Sequence, residues 1–406
     1  MVTPMASRRL VTIIMLIVVT SLLTGCWNSR EMDGFSIVTA LGIDKVEEEG
    51  RYEVTIELVN PAEVVGGEQS TPGRASTTTI YSAKGDTLIS AIRRVSEQTP
   101  RKIYFPYTQT VVFGEGLARS GIEVIFDLLE RNQEFRSTPR VLIAKDNTAK
   151  NILSILSPLE KIPGQKLVKT SEVSGQTLGE TLQVKIMEFV KKLTSDGIEP
   201  LASGVSILGQ SKDGESTANI EQTTPNSLIK SEGLAIFKKG KLIRWVDREK
   251  ARGMLWIINK IDSTIVNLSC DEKPNAISFN VTDTRTSLRA TETNGIPTID
   301  IHVKQEGEME EVLCEIDLTN RDTISKIEKQ IEEKTKVEIE QAIQIAKEEN
   351  SDVFGFGEAI NRENPKIWRE KIKKDYEEIF PELKVNIKVD SYVIETGMRK
   401  ESYIKE

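Results

Sequence analysis

Stretches in which apolar and polar residues alternate are interspersed along the chain with stretches in which apolar residues recur every three or four positions. The apolar pattern over residues 35–43 and 51–59 predicts two strands, and in the second Val54, Ile56 and Leu58 alternate with polar residues. The helical spacing over 86–95 predicts a helix capped by Asp86. A longer helical pattern over 321–350 has isoleucine and alanine on one face and Glu and Lys on the other.

The same two patterns predict the remaining elements. Further strands are expected at 77–83, 108–113, 140–145, 202–208, 233–237, 241–245, 263–270, 276–282, 298–304, 312–318 and 385–393, and further helices at 122–131, 148–156, 176–193, 247–258 and 365–380. The acidic stretch 306–315 is expected to form a solvated hairpin. This order of elements predicts an α+β (mixed α/β) fold of several domains, each a β-sheet packed with helices.

One polar segment predicts a domain boundary. Residues 210–226 are poor in apolar side chains and end near Pro225. The predicted organisation is therefore a signal peptide at 1–25, an N-terminal α/β region at 26–209 with room for two subdomains, a linker at 210–226, and a C-terminal α/β domain at 227–400.

The N-terminus has the features of an export and anchoring signal. Arg8 and Arg9 precede an apolar stretch at 10–23 that is shorter than a membrane-spanning helix needs. It ends in Leu-Thr-Gly-Cys at 23–26, which resembles the bacterial lipobox. We expect a cleaved lipoprotein signal peptide and lipid attachment at Cys26, which would tether the body outside the cytoplasmic membrane. The alternative is an uncleaved anchor with an incidental cysteine.

Composition limits the kinds of ligand and reactive group that the chain can offer. The 406 residues contain 1 His and 3 Cys, and the formal net charge is −8, which disfavours nucleic-acid binding. No metal ligand set and no cofactor motif is present in the sequence. His302 is expected to point to solvent, and no orienting Asp lies near it in the sequence. Cys270 and Cys314 are expected to be buried as free thiols in strands, a disulfide between them being the less favoured alternative.

No catalytic motif stands out, so the chain is not expected to be an enzyme. Two charged clusters are sharper candidates for function. Arg131, Glu134 and Arg136 follow a predicted helix, and Asp247 and Arg248 begin one. Physical chemistry favours capping and ion pairing at these positions. The alternative is a polar contact with another subunit.

Several segments carry a family resemblance. Residues 25–31 (GCWNSRE) followed by 37–44 (IVTALGID) resemble the opening of the Ger(x)C family, the lipoprotein C-subunits of bacterial spore germinant receptors. The similarity continues, in family order, at 114–121 (GEGLARSG), 131–136, 158–163 (PLEKIP), 232–237 (EGLAIF), 247–260 (DREKARGMLWIINK) and 352–368 (DVFGFGEAINRENPKIW).

The resemblance implies a non-enzymatic subunit of a nutrient germinant receptor, lipid-anchored on the extracytoplasmic face of the spore inner membrane. It implies integral-membrane A and B subunits as partners, and no cofactor. Two other functions stay open: an extracytoplasmic solute-binding lipoprotein, which would need a concave pocket between domains, and, less favoured, an exported cell-wall enzyme that uses a carboxylate pair.

Overall fold

The computed structural model describes residues 12–15, 34–46, 51–60, 77–270, 273–293 and 296–397. The strands are β1 (Phe35–Lys45), β2 (Tyr52–Val59), β3 (Thr78–Gly85), β4 (Lys102–Tyr104), β5 (Thr110–Gly114), β6 (Arg140–Ala144), β7 (Leu201–Leu208), β8 (Leu228–Lys238), β9 (Lys241–Val246), β10 (Thr264–Cys270), β11 (Lys273–Thr293), β12 (Ile296–Val312) and β13 (Lys384–Glu395). The lipobox residues with Cys26 lie outside the described residues.

Helices fill most of the chain between the strands. The α-helices are α1 (Leu88–Val95), α2 (Glu115–Ser120), α3 (Glu123–Arg131), α4 (Ala149–Ser154), α5 (Pro163–Leu178), α6 (Ile186–Leu193), α7 (Ser211–Gly214), α8 (Ala218–Glu221), α9 (Arg248–Ile257), α10 (Arg321–Glu348), α11 (Phe356–Glu363), α12 (Pro365–Ile367) and α13 (Tyr376–Ile379). A π-helical turn at Trp368–Ile372 and 3₁₀ turns at Lys373–Asp375 and Phe380–Glu382 make the last helical stretch irregular.

The strands form two sheets. The larger has the order β3-β2-β1-β5-β6-β7-β8-β9, with β4 paired to β1, and its centre (β1, β5, β6 and β7) is parallel. The smaller has the order β10-β11-β12-β13. Two sheets packed with helices confirm the predicted α+β (mixed α/β) fold.

Both faces of the larger sheet are covered. One face belongs to a core that continues into the smaller sheet and contains Phe113, Phe237 and Trp256. The other packs under α4 and α5 around Leu142 and Leu167. A strand that is buried on both faces needs apolar side chains at successive positions. This explains why the central strands contain few polar residues.

Residues 210–226 connect two neighbouring strands of the larger sheet. They form α7 and α8 between β7 and β8, which pair with each other as antiparallel neighbours. The Asn219 side chain is buried and donates to the carbonyls of Leu156 and Ser227. The sheet therefore continues past the predicted linker, and the division of the chain at this segment stays a prediction.

At two predicted helices, local end and cap residues differ from those that the apolar periodicity indicated. The expected helix at 176–193 is instead the end of α5 and the whole of α6. The break follows Gly179, whose φ of 64° is the left-handed conformation that ends a helix. The cap of α1 is Thr87 rather than Asp86, because the Thr87 hydroxyl accepts from the Ser90 amide at 3.1 Å.

The smaller sheet is built on a longer hairpin than expected. The acidic stretch 306–315 lies mostly within β12, where Met309 faces the core and Glu308 and Glu310 face out. No strand forms at 312–318 beyond Val312. The outer edge of β13 is closed by α10, since Glu332 and Glu328 accept from the amides of Ser391 and Val393.

The prediction of free thiols was wrong, and the prediction for His302 was right about its face but missed a partner. Cys270 and Cys314 form a disulfide, which closes β11 and β12 into one covalent loop. His302 lies on the outer face of β12, as alternation requires, but its Nε2 is 2.6 Å from the Asp390 carboxylate. Asp390 comes from β13, 88 residues further along, so sequence proximity could not show the pair.

Candidate functional site

A charged cluster lies at the carboxyl end of the parallel strands. We call Glu115, Lys145, Glu232, Trp245 and Asp247 the Lys145 cluster. Lys145 follows β6 directly, Glu115 follows β5, and the other three come from β8, β9 and the residue after β9. Because parallel strands end at the same edge of a sheet, these distant segments meet.

Lys145 is the centre of the cluster. Its Nζ lies 2.9 and 3.0 Å from the two carboxylate oxygens of Asp247 and 3.8 Å from Glu232. It also lies 5.5 Å from the centre of the Trp245 ring, within cation–π range. The Lys145 side chain is only 13% exposed, so contacts with its partners have to replace the water that this ammonium loses on folding.

Glu115 holds the other side of the cluster. It accepts from the Asp146 amide at 2.5 Å, from Trp245 Nε1 at 3.1 Å and from Arg119. Burial raises the pKa of Glu115, but these donors outweigh it and hold the pKa below its usual value. A hydrogen bond from Ser206 likewise lowers the pKa of Glu232, with help from Lys145. Both carboxylates are therefore kept charged.

Asp247 forms an ion pair, as expected, but does not cap its helix. It occupies the N-cap position of α9, yet its side chain makes no capping hydrogen bond and binds Lys145 instead. Gly233 leaves room for it: a Cβ there would lie 2.1 Å from Asp247 Oδ1, and φ is 68°. Arg248 follows with a φ of 51°, unusual for a non-glycine residue.

The predicted candidates do not form one site. Arg131, Glu134 and Arg136 lie at the amino end of the parallel strands, just before β6, whereas Asp247 and Arg248 lie at the carboxyl end. Arg131 pairs with Asp127 on its own helix at 2.8 Å, and Glu134 lies 4.0 Å from Lys102. Sequence reasoning missed Lys145, Glu115 and Trp245. A lysine that ends a buried parallel strand is the signal that could have found them.

A buried joint connects the segment after α10 with the turn before β7, and it was also missed. Asp352, wholly buried, accepts from four successive backbone amides, at residues 354–357, at 2.9 to 3.2 Å, and from the Tyr376 hydroxyl at 2.6 Å. Burial raises the pKa of Asp352 against these donors. The loop so formed packs on Gly197, where a Cβ would lie 2.9 Å from Gly357 Cα.

A second buried contact lies between α9 and α10. Arg252 donates from Nε to Glu338 Oε2 at 2.8 Å and from its NH2 group to the other carboxylate oxygen. Trp256 Nε1 donates to the same carboxylate at 3.3 Å. Gly253 allows the close approach, since a Cβ there would lie 2.1 Å from the Glu338 carbonyl oxygen.

A cleft of about 480 Å³ lies beside the joint. Its apolar lining includes Leu182, Ile257 and Phe354, and four cations surround it: Lys191, Lys192, Lys260 and Arg362. Within the described part of the chain, no carboxylate lies in ion-pair distance of these four. Glu188 and Glu358 also line the cleft. Burial lowers the pKa of Lys192.

Two further findings concern what the described residues can hold or cross. Among them, no three His, Cys, Asp or Glu side chains are grouped to bind a metal ion. None of the helices formed by these residues has both the length and the apolar character to cross a bilayer.

The chain belongs to the Ger(x)C family of spore germination proteins, as models that together cover most of the chain show. A model described as "Spore germination protein N-terminal domain" matches residues 28–207. A second, described as "Spore germination B3/ GerAC like, C-terminal", matches residues 232–397. The Lys145 cluster and the joint at Asp352 both take residues from each of these two regions.

The chain is similar to individual relatives over nearly their whole length. The chain is 32% identical to "Spore germination protein KC" of Bacillus subtilis (strain 168), over 97% of both chains. It is 23% identical to "Spore germination protein B3" of the same organism, over 92% of this chain and 95% of that protein. The crystal structure of the GerBC protein matches with a TM-score of 0.52 at 18% identity, covering 87% of this chain and 96% of that one. That likeness is one of fold.

Proposed function

We propose that the chain is a non-enzymatic, lipid-anchored subunit of a nutrient germinant receptor, required for nutrient-triggered spore germination. It would lie on the extracytoplasmic face of the spore inner membrane and work with integral-membrane A and B subunits. The observation that carries the proposal is the 32% identity to Spore germination protein KC over nearly the whole of both chains. The lipobox that ends at Cys26 supports the anchor.

Replacing the acylated residue tests the anchor. Cys26→Ala should move the protein from the membrane fraction to the soluble fraction of spores and impair nutrient germination. Ser29→Ala, three residues away, is the matched control and should leave both unchanged. Normal membrane location of Cys26→Ala would contradict the anchoring part of the proposal.

Co-purification tests the partners. The protein solubilised from spore membranes should carry two integral-membrane subunits with it, identifiable by mass spectrometry. We propose Arg131, Glu134, Arg136, Asp247 and Arg248 as the contacts. Arg136 and Arg248 suit this role because each is exposed, and no carboxylate of the described residues pairs with either. Arg136→Glu should reduce recovery of a partner, whereas Lys45→Glu, at an exposed strand end opposite to the one near Arg136, should not.

The cleft supports one alternative function, that of a solute-binding lipoprotein. An apolar lining with four cations that have no ion-pair partner among the described residues suits a small amphipathic anion. Calorimetric titration of the protein with amino acids and sugars should give no saturable heat if the receptor-subunit proposal is right. Saturable binding that Lys192→Met abolishes, and Lys45→Met does not, would favour the alternative.

A further inference from the structure

The amino end of the larger sheet carries an aromatic and basic surface. Phe35, Tyr104 and Tyr107 form a chain of ring contacts with centroids 5.0 and 5.9 Å apart. Phe35 begins β1 and lies opposite Lys102 of β4. Tyr107 is 54% exposed, and Arg101 and Lys102 are exposed beside it. We call Phe35, Arg101, Lys102, Tyr104 and Tyr107 the amino-end patch.

The surroundings extend this character. Phe135, from the segment before β6, packs on Phe105 with the ring centroids 4.5 Å apart, and Arg136 next to it is exposed. Segments 97–109 and 131–140 together contain Arg101, Lys102, Arg131, Arg136 and Arg140 against Glu97 and Glu134. This local excess of cations stands out in a chain whose formal net charge is −8.

The position of the patch along the chain matters as much as its chemistry. Phe35 is nine residues after Cys26, and nine residues span at most about 30 Å even when fully extended. A lipid on Cys26 would therefore hold the amino end near the bilayer. The opposite end of β1, at Lys45, lies roughly 33 Å further away along the strand.

We propose that the amino-end patch lies against the bilayer surface, with its tyrosines at the lipid headgroups and Arg101 and Lys102 facing anionic lipids. Amphipathic aromatic rings settle at the membrane–water interface, and cations beside them are attracted to anionic headgroups. This inference rests on the proposed anchor at Cys26. It places Arg131, Glu134 and Arg136 at the membrane surface and Asp247 and Arg248 at the far end.

Site-specific fluorescence tests the orientation. Tyr107→Cys and Lys45→Cys, in separate lipidated full-length chains, accept a thiol-reactive fluorophore, since Cys270 and Cys314 are already joined. Each chain is reconstituted into vesicles of phosphatidylcholine and phosphatidylglycerol that contain a headgroup nitroxide quencher. We expect quenching at position 107 to exceed that at position 45 by about threefold or more, because of the strand length between the two ends.

Further arms make the outcome decisive. Arg101→Gln with Lys102→Gln should weaken the preference for the amino-end orientation about fivefold per cation in anionic vesicles. Little change is expected in vesicles of phosphatidylcholine alone. Equal quenching at the two positions, or stronger quenching at 45, would overturn the inference. So would quenching at 107 that appears only when partner subunits are added, because the surface would then bind protein.

The two levels of the proposal fail differently. If the lipid anchor is wrong, either the chain will not sediment with vesicles or Cys26→Ala will sediment as fully as the parent, because an uncleaved apolar segment holds it. If only the orientation is wrong, the chain will sediment and position 107 will not be quenched more than position 45.

Discussion

The two ends of the central parallel strands hold their charges in opposite ways. At the carboxyl end, Lys145 and Glu115 are mostly buried, and each has several partners, including residues distant in the sequence. At the amino end, Arg131 has one partner on its own helix, in a pair that is mostly exposed, and Arg136 is exposed. The carboxyl end therefore contributes to folding stability, whereas the amino end is available for binding.

The largest expected effect concerns the space around Asp247. Gly233→Ala places a Cβ 2.1 Å from Asp247 Oδ1 at a backbone φ of 68°, so the Lys145 cluster has to move. We expect a loss of about 3 kcal/mol or more in the free energy of unfolding, measured by urea denaturation. Gly116→Ala is the matched control, since nothing lies within 4 Å of its Cβ. A loss in the control as large as that of Gly233→Ala would refute the steric explanation.

The next largest effect is the pH dependence of folding stability that a buried carboxylate causes. Asp44, at the carboxyl end of β1, accepts from the amides of Ala149 and Lys150, and burial raises its pKa to about 6. The folded state thus holds this proton more tightly than the unfolded state, so its contribution to stability is present below pH 4 and is lost as pH rises towards 6.

The shift corresponds to roughly 3 kcal/mol between those pH values. Asp44→Asn should remove this part of the pH dependence, measured as the difference between variant and parent in urea unfolding at pH 4 and pH 7. Asp127→Asn, at the amino end, is the control and should not flatten the same interval. A parallel pH dependence of parent and Asp44→Asn would exclude Asp44 as the source.

Removal of the Lys145 ammonium tests how much the carboxyl end contributes to folding stability. Lys145→Met leaves Asp247 and Glu232 without their shared ammonium. Because these carboxylates are partly exposed, we expect a loss of about 2 kcal/mol in the free energy of unfolding at pH 7. A double-mutant cycle with Asp247→Asn should show coupling between the two positions. Additive losses would mean that the pair contributes only by packing.

The smallest effect on stability is expected at the amino end. Arg131→Gln breaks only an exposed pair with Asp127, so urea unfolding should be unchanged within error. Recovery of membrane partners should fall, because this side chain is one of the proposed contacts. A clear loss of stability, with partner recovery unchanged, would reverse the assignment of the two ends.

The apolar pattern of the sequence was a good guide to three elements. The long helix α10 and the strands β1 and β2 were predicted close to their observed bounds, because their apolar positions repeat without interruption. The split between α5 and α6 was missed, although Pro163 and Gly179 mark the start and stop of α5.

The candidate site was harder to predict because it is made by topology. Lys145 and Asp247 are 102 residues apart and meet only because β6 and β9 belong to one sheet. The pairing of Cys270 with Cys314 likewise depends on the register of β10, β11 and β12. Local patterns identify strands, but they do not specify which strands become neighbours.

The closed edge of β13 has a consequence for self-association. A strand at the edge of a sheet usually presents free amides that can template pairing with another chain. Here Glu328 and Glu332 of α10 already occupy the amides of Val393 and Ser391. This part of the edge is therefore protected against the edge-to-edge pairing that begins aggregation, and the carboxylates that protect it would also repel a second copy.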